Sequence, residues 1–362
     1  MVGKVLDGKL RWRALIRSKA EVDELVKDGV DAVVSLEASP VGEELSRTYG
    51  QRWVNNPIPD PKTAHLPEVT FYDAVTRAIP IIEASLERGK AVCVHCLGGT
   101  DRSPGLVAAF LRIHGWIYEA EKIPLSPRMR ELVEYSVARH CVERLAREFL
   151  ETPHRFTSED SLHSQLFHYL CVSGMNREVR TKAGYMMGTL QHEYPPITPD
   201  SGKSRRGLYD LVIFHGDSVS AADHWDHRTD DGTRPGRPLP PLVAVEMGLD
   251  KGLTAESEET ASRLADFQKE LSRISNPLNK VRYGFLVYLY KYAKFHREAM
   301  RNILDHIRAE TEESIEGTNQ QAVIVVAAGY DEEDEFKVIE RNELQLLNGV
   351  ATKVRGPLLA DS

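Results

Sequence analysis

The sequence predicts an α/β protein of two domains, each with a central sheet flanked by helices. Short apolar runs alternate with amphipathic stretches along the whole chain, which is the pattern of alternating strands and helices. The chain has 362 residues, more than one ordinary hydrophobic core accommodates. Because the alternation restarts near residue 150, we expect one domain over residues 1–150 and a second over residues 151–362.

The first half contains a regular succession of predicted elements. Gly29 ends the first helix, and Pro104 lies near the first turn of a later one, where proline is favoured. The predicted strands are LRWRALIR, DAVVSLEA, RWVNNPIPD and AVCVHC, and the predicted helices are AEVDELVKDG, TFYDAVTRAIPIIEASLERGK, PGLVAAFLRIHG and PRMRELVEYSVARHCVERLAREFLE.

The second half has the same alternation and more charge. Its leading helix, SEDSLHSQLFHYLCVSG, has Ser158 as the expected N-cap. A long insertion, residues 215–241, separates two of its strands. The predicted strands are REVRTKAGYM, YDLVIF, LVAVEMG, YGFLVYLY and AVIVVAAG, and the later helices are SEETASRLADFQKELSRI and REAMRNILDHIRAE.

Composition and charge restrict the class of protein. No apolar run reaches the roughly 18 residues that a membrane helix needs, and the first residues lack the apolar segment of a secretory signal, so we expect no membrane partner. Four cysteines in so long a chain fit a reducing cytoplasm. Residues 1–150 carry equal numbers of basic and acidic side chains, so the net charge of −8 lies in residues 151–362 and argues against bulk electrostatic binding of nucleic acid.

The segment VHCLGGTDRS carries the strongest chemical signal. It places five residues between Cys96 and Arg102, between a buried strand and a helix. Successive backbone N–H groups in such a loop can surround phosphate oxygens, and the helix N-terminus adds positive potential that favours the thiolate form of Cys96. The expected phosphate-binding residues are Leu97, Gly98, Gly99, Thr100, Asp101 and Arg102.

The side chains around this loop have expected roles in phosphoryl transfer. Cys96 is the expected nucleophile, and Arg102 is a planar clamp for the phosphoryl oxygens. Ser103 is expected to hydrogen-bond the sulfur as it leaves in the second step, and His95 to orient the loop rather than transfer protons. Asp60, in a loop stiffened by prolines, is the candidate general acid for the leaving group, with an ordinary turn residue as the alternative.

The pair PIPD and HCLGGTDRS resembles the dual-specificity and tyrosine phosphatase superfamily, in particular its small members. The likeness spans residues 8–148. It implies the nucleophile, clamp and general acid just named, a phosphocysteine intermediate, and no cofactor for this reaction.

Two residues near the loop have more than one interpretation. Asp101 is a structural partner for a nearby Lys or Arg, a second candidate for the general acid, or a hindrance to anions. Because an Asp directly before the Arg also resembles some bacterial and inositide-directed members, a phosphoinositide substrate stays open. Cys93 faces away from Cys96 on a regular strand, so we expect it in the core, with a protective disulfide to Cys96 as the alternative.

Three acidic residues of the second half fall near the ends of predicted elements. Glu159 lies in the first turn of the leading helix, Asp210 begins one strand and Glu246 ends another. Carboxylates at neighbouring strand ends can share a cation such as Mg²⁺ or Mn²⁺, which take oxygen ligands. The alternative is that these acids are solvated caps.

This layout resembles the PD-(D/E)xK nuclease fold over residues 156–330. The resemblance implies that Asp210 and Glu246 hold the metal and that Glu159 assists. The family motif has a Lys two residues after the second acid, where this chain has Gly248, so the amine comes from a shifted position or cleavage has been lost. The candidates for a shifted amine are Lys251 and Lys269.

Other charged residues of the second half are weaker candidates. Arg205 and Arg206 precede a strand and are either contacts for a phosphate backbone or an exposed loop pair. The insertion matches no standard zinc spacing, so we interpret it as a solvated loop. Its His and Asp residues are His215, Asp217, Asp223, His224, Asp226 and His227.

Three functions therefore stand beside one another. The first is a phosphomonoesterase fused to a domain that binds or cuts DNA or RNA, with phosphorylated nucleic-acid ends among its substrates. The second is a protein tyrosine or serine phosphatase whose C-terminal domain is an inactive recognition module. The third is a protein that holds phosphate in the loop without catalysis.

Overall fold

Central β-sheets form the framework of both halves of the chain in the computed structural model. The chain divides into two units, Met1–His140 and Cys141–Ser362, and each is a mixed α/β structure, as the alternating pattern predicts. The structure describes residues 2–37, 47, 53–60, 66–152, 155–197, 208–222, 239–250, 269–270, 272–274 and 276–290, and the strands 322–329, 345–348 and 350–351.

The first unit is built on a five-stranded sheet. Its strands are β1 (Val2–Val5), β2 (Leu10–Arg13), β3 (Val30–Ser35), β4 (Trp53–Asn55) and β5 (Ala91–His95), and its helices are α1 (Lys19–Lys27), α2 (Glu68–Glu87), α3 (Arg102–Ile113), α4 (Ile117–Glu121) and α5 (Pro127–Glu151). The order across the sheet is β1-β2-β5-β3-β4, with β1 antiparallel to β2 and the other neighbours parallel.

The central position of β5 determines where the loop after it lies. All five of its residues are buried, as expected for a strand with parallel neighbours on both sides. His95 pairs with Arg13 at the end of β2 and with Ser35 at the end of β3. Because parallel strands end at the same edge of a sheet, the segments that follow β2, β3, β4 and β5 meet there.

Helix α5 runs through the division between the units, which falls at residues 140 and 141 rather than near 150. Its C-terminal part packs on the second unit's leading helix. The Cys141 sulfur lies 3.5 Å from the hydroxyl of Ser173, and the Arg144 guanidinium lies 4.0 Å from the centre of the Tyr169 ring. These contacts assign the last turns of α5 to the second unit.

The second unit is built on a seven-stranded sheet and a separate two-stranded ribbon. Its described elements are α6 (Glu159–Val172), β6 (Glu178–Arg180), β7 (Met186–Gly188), β8 (Leu190–Tyr194), β9 (Tyr209–Ile213), α7 (Gly216–Ser220), β10 (Val243–Asp250), β11 (Tyr283–Tyr290), β12 (Ala322–Gly329), β13 (Gln345–Asn348) and β14 (Val350–Ala351). The order is β14-β13-β12-β11-β10-β9-β8; β10, β11 and β12 are parallel, and the other neighbours are antiparallel.

Local sequence explains most of these elements. Ser158 caps α6 as predicted, and it forms a reciprocal capping box with Ser161. The segment predicted as one strand at REVRTKAGYM is instead the ribbon of β6 and β7, which turns at Gly184 with φ +92°. The charged helix predicted before β11 is helical at residues 269–270 and 272–274, and the helix predicted before β12 lies outside the described residues.

Among the described residues, no helix combines the length and the apolar character needed to cross a membrane.

Candidate active site

Cys96 lies at the first position after β5, in the loop that leads to α3. Its backbone N–H donates to the carbonyl of Arg13 at 3.4 Å, which ties the start of the loop to the end of β2. The sulfur accepts a hydrogen bond from the backbone N–H of Gly99 at 3.2 Å and lies 3.2 Å from the hydroxyl of Ser103. The Cys96 side chain is therefore buried under its own loop with two polar groups directed at the sulfur.

The loop requires glycine at position 99 for two independent reasons. Gly99 has φ +66°, the left-handed region that side chains disfavour. A Cβ there would lie 2.5 Å from the backbone nitrogen of Ala14 and 2.7 Å from the carbonyl carbon of Arg13. Gly98 differs, because a Cβ at that position would meet its nearest neighbour, the Thr100 hydroxyl, at 3.4 Å.

The other predicted phosphate-binding residues surround the turn between β5 and α3. Leu97, Gly98 and Thr100 are exposed there. Asp101 is buried and occupies the N-cap position of α3, where its carbonyl accepts the N–H of Gly105 at 2.8 Å. The loop is therefore exposed to solvent at Leu97, Gly98 and Thr100, while Asp101 is buried in the first unit.

Arg102, the first residue of α3, is 3% exposed and is held by two other segments of the chain. Its Nη1 donates to the carbonyl of Leu36 at 3.1 Å and to that of Ile58 at 2.7 Å. Its Nη2 donates to Glu37 Oε2 at 2.7 Å. Leu36 and Glu37 directly follow β3, and Ile58 follows β4, so the guanidinium is fixed by the loops at the carboxyl edge of the sheet.

Asp60, the predicted general acid, lies beside this guanidinium. One of its carboxylate oxygens is 3.5 Å from Arg102 Nη2, and about a quarter of the Asp60 side chain is exposed. Glu37 approaches the same nitrogen and is equally exposed. The structure thus places Ser103 at the Cys96 sulfur and Asp60 at the Arg102 guanidinium. It also places Glu37 at that guanidinium, a residue that the sequence pattern does not indicate.

His95 is a buried residue with an environment that keeps it neutral. Burial, together with the charges of Arg13 and Arg102, lowers the pKa of its imidazole to about 3. Its ring lies against Trp53, with 5.3 Å between ring centres, and neither ring nitrogen has a hydrogen-bond partner among the described residues. The position suits a packing residue beneath the loop better than a proton carrier.

Cys93 belongs to the core of the first unit. It is 1% exposed and packs in a cluster that includes Ile16, Val33 and Trp53. Burial raises the pKa of its thiol to about 12, so the side chain stays protonated at neutral pH. The structure places it as the regular alternation of β5 predicts.

In the second unit, three side chains converge between α6 and β9. His163 Nε2 lies 3.7 Å from a carboxylate oxygen of Glu159 and 3.5 Å from one of Asp210. The backbone N–H of Met247 donates to Asp210 Oδ2 at 2.6 Å, and burial raises the pKa of Asp210 to about 7. His163 was not identified from the sequence, although its position four residues after Glu159 on a predicted helix is the available signal.

The third predicted acid has a different partner. Glu246 is 2% exposed, and Arg273 Nη1 donates to its carboxylate at 2.5 Å. The same nitrogen donates to the carbonyl of Leu208 at 2.8 Å. Burial, and secondarily the charge of Asp210, raises the pKa of Glu246 well above its usual value. Glu159 and Asp210 are thus brought together, while Glu246 is engaged with an arginine.

The remaining candidates of the second half are only partly described. His215 caps α7 by accepting the N–H of Asp217 at 3.3 Å, which is a local structural role. Gly248 lies within β10, and Lys269 is a described helical residue. The residues outside the described part of the chain are Arg205, Arg206, Asp223, His224, Asp226, His227 and Lys251.

A comparison with models of protein families finds a match within the first unit. Residues 9–116 match a family model described as a polymorphic toxin system, DSP-PTPase phosphatase. No curated protein matches the chain significantly.

Several solved structures resemble part of the chain. Tk-PTP in its active form has 22% identity and a TM-score of 0.29, covering 36% of this chain and 92% of that one. PTPMT1 in complex with PI(5)P has 18% identity and a TM-score of 0.30, covering 37% and 94%. The core catalytic domain of the PP-IP phosphatase SIW14 from S. cerevisiae has 13% identity and a TM-score of 0.28, covering 39% and 88%.

The family match includes the whole segment from β2 to the end of α3 and therefore the loop that carries Cys96 and Arg102. The match supports a cysteine-dependent phosphatase in residues 9–116 of this chain.

Proposed function

We propose that the first unit hydrolyses phosphomonoesters through a phosphocysteine on Cys96. The observation that carries the proposal is the setting of the Cys96 sulfur, which has the Gly99 N–H and the Ser103 hydroxyl each at 3.2 Å. Both groups stabilise a thiolate by hydrogen bonding. In the first step the thiolate attacks phosphorus, an S–P bond forms, and the P–O bond to the leaving group breaks.

Arg102 and Asp60 have separate roles in this step. The guanidinium of Arg102 binds two phosphoryl oxygens and favours the transition state, in which negative charge on them increases. Asp60, 3.5 Å from that guanidinium, donates its proton to the departing oxygen.

The second step regenerates the enzyme. Asp60, now a carboxylate, takes a proton from water, and the water oxygen attacks phosphorus while the S–P bond breaks. The Ser103 hydroxyl donates to the sulfur that leaves as thiolate. No cofactor enters the proposal at any point.

The Asp60 assignment is tested by the dependence of rate on the leaving group. Asp60→Asn should lower kcat by roughly 10²- to 10⁴-fold with an alkyl phosphate, whose leaving alkoxide requires protonation. The loss should be much smaller with p-nitrophenyl phosphate, because its phenolate leaves without a proton. Asp73→Asn, on helix α2, is the matched control and should behave as the native chain. An equal loss with both substrates would overturn the assignment.

The proposed substrates are a phosphorylated protein or a phosphorylated nucleic-acid end, in the cytoplasm. The description of the matching family as a polymorphic toxin system supports a role in defence or conflict between cells. Phosphotyrosine and phosphoserine peptides should be compared with oligonucleotides phosphorylated at the 3′ or 5′ end. The class with the higher kcat/KM identifies the substrate type, and equal low rates for all would contradict both.

The second unit supplies a second candidate function, cleavage or binding of DNA or RNA. The antiparallel succession β8-β9-β10, followed by the parallel strand β11, supports it, as do Glu159 and Asp210 at neighbouring elements. Mg²⁺ or Mn²⁺ would fit these two carboxylates, and the cation would supply charge stabilisation for a phosphodiester. The alternative is a recognition domain without cleavage, which Gly248 favours.

One experiment separates these alternatives. Nuclease activity should disappear in EDTA and in Asp210→Asn, while phosphatase activity persists in both conditions. Binding of nucleic acid without any cleavage would support the recognition domain. Cleavage that survives EDTA would contradict metal dependence.

A further inference from the structure

We propose that Glu159, His163 and Asp210 bind one transition-metal dication and that Glu246 is excluded from this site. This inference concerns the metal ion that cleavage of nucleic acid by the second unit would use. Its biological meaning therefore rests on the second candidate function proposed above. The test measures metal binding directly, so a second unit without nuclease activity would not contradict the metal site.

The three side chains already have the spacing of a metal site. Glu159 and His163 are four residues apart on α6 and share one face of the helix, and Asp210 approaches from β9. The ligand atoms of all three lie within 4.8 Å of one another. Ligand atoms bound at about 2.1 Å to one ion are separated by about 3.0 to 3.5 Å, so the observed 3.5 and 3.7 Å distances need little contraction.

His163 is the residue that distinguishes this cluster from a group of surface acids. Its Nε2 is buried and has no hydrogen-bond partner among the described residues, although two carboxylates lie within 3.7 Å of it. A cation between these groups would use the nitrogen lone pair and compensate both negative charges. The nitrogen is therefore placed as a ligand atom rather than as a member of a hydrogen-bond network.

The Asp210 carboxylate is held in a fixed orientation by a hydrogen bond from a neighbouring strand. The Met247 N–H donates to Asp210 Oδ2 at 2.6 Å and fixes the orientation of the carboxylate from the neighbouring strand. Such outer hydrogen bonds commonly orient metal ligands. One imidazole with two carboxylates favours Zn²⁺ or Mn²⁺ over Mg²⁺, which prefers oxygen ligands and retains its waters.

Glu246 is excluded because a cation already occupies its carboxylate. Arg273 Nη1 donates to Glu246 at 2.5 Å and is also anchored on the carbonyl of Leu208, and both charged side chains are buried. A metal at Glu246 would displace the guanidinium and leave a buried positive charge unpaired, which is costly. The arginine therefore already supplies the positive charge that faces Glu246.

The test uses the full chain after treatment with EDTA and removal of the chelator. Calorimetric titration should give one Zn²⁺ or Mn²⁺ per chain, bound at least tenfold more tightly than Mg²⁺. Glu159→Gln, at an exposed residue, and His163→Ala should each weaken binding at least tenfold. His168→Ala, an exposed histidine on the same helix, is the matched control and should bind as the native chain.

Pulsed electron paramagnetic resonance of bound Mn²⁺ identifies the nitrogen ligand directly. The native chain and His168→Ala should show coupling to nitrogen, and His163→Ala should show none. A folded native chain that binds neither Zn²⁺ nor Mn²⁺, or Glu159→Gln and His163→Ala variants that bind as tightly as the native chain, would overturn the site. Loss of binding in Glu246→Gln with an unchanged unfolding midpoint would overturn the exclusion of Glu246.

Discussion

Glu37 accepts a hydrogen bond from Nη2 of Arg102 at 2.7 Å, on the guanidinium that also meets the Asp60 carboxylate at 3.5 Å. Two carbonyls hold the other end of the guanidinium, so Glu37 fixes its remaining rotation. Because Glu37 follows β3 and Arg102 begins α3, this contact fixes the Arg102 guanidinium relative to the end of β3. We therefore expect Glu37 to position Arg102, the proposed phosphate clamp.

Replacing Glu37 should weaken the clamp without removing the nucleophile. A hydrogen bond to a charged group contributes about 1.5–3 kcal/mol, so we expect Glu37→Ala to lower kcat/KM by roughly ten- to hundredfold. Glu37→Gln, which keeps an acceptor oxygen, should recover part of that loss. The measurement is steady-state hydrolysis of an aryl phosphate, with Glu24→Gln on α1 as the surface control. A Glu37→Ala variant with native kcat/KM would contradict the positioning role.

The two loop glycines should respond differently to the same substitution. Gly99→Ala places a Cβ at φ +66° and 2.5 Å from the Ala14 backbone, so the loop must rearrange. We expect a loss of at least a hundredfold in kcat/KM and a destabilisation of about 1–3 kcal/mol. Gly98→Ala meets its nearest neighbour at 3.4 Å and should stay within tenfold of the native rate. Similar losses in both variants would contradict this account of the loop.

The buried neutral His95 should make the first unit sensitive to acid. Its pKa in the folded state is about 3, against 6.5 in the unfolded chain, so between these values the unfolded state binds more protons. The free energy of unfolding therefore falls as pH decreases from about 6.5 towards 3. The contribution of this one group is roughly 1.4 kcal/mol for each pH unit.

Urea denaturation at pH 7.5 and pH 5.0, followed by tryptophan fluorescence, checks this linkage. The native chain should lose about 2 kcal/mol more than His95→Gln between the two pH values. His114→Gln serves as control, because His114 is partly exposed and paired with Glu83. The same pH dependence in native and His95→Gln chains would show that His95 is not held neutral by burial.

The local sequence pattern was sufficient to predict the loop between Cys96 and Arg102 and the strand and helix on either side of it. The buried run of β5, two glycines and a helix with an early proline are contiguous, so the sequence contains the strand, the loop and the helix that position Cys96 and Arg102. Asp60 was proposed as the general acid because proline-rich loops after strands are recognisable in a sequence. Its approach to Arg102 depends on the order of strands in the sheet.

Two of the residues that were missed, Glu37 and Arg273, act over long sequence separations. Glu37 and Arg102 are 65 positions apart, and Glu246 and Arg273 are 27 apart. Nothing in the local pattern near Glu37 or Arg273 distinguishes them from other charged residues. Their roles follow from sheet topology, which periodicity alone does not determine.

Two of the missed strands, β1 and β8, were weak in their own sequence. β1 is a four-residue edge strand with a glycine and a lysine, and β8, LQHEY, is an edge strand with mostly polar residues. Neither has the apolar run of a central strand. Each is recruited by its neighbour, β1 by β2 and β8 by β9.

The central claim is that catalysis in the first unit depends on the Cys96 thiolate. The direct measurement is hydrolysis of p-nitrophenyl phosphate in EDTA by the native chain and by Cys96→Ser, with acid quenching and mass analysis of the Cys96 peptide. We expect turnover and a phosphorylated Cys96 peptide in the native chain, and neither in Cys96→Ser. Turnover that survives in Cys96→Ser, or a native chain without activity in EDTA, would contradict it.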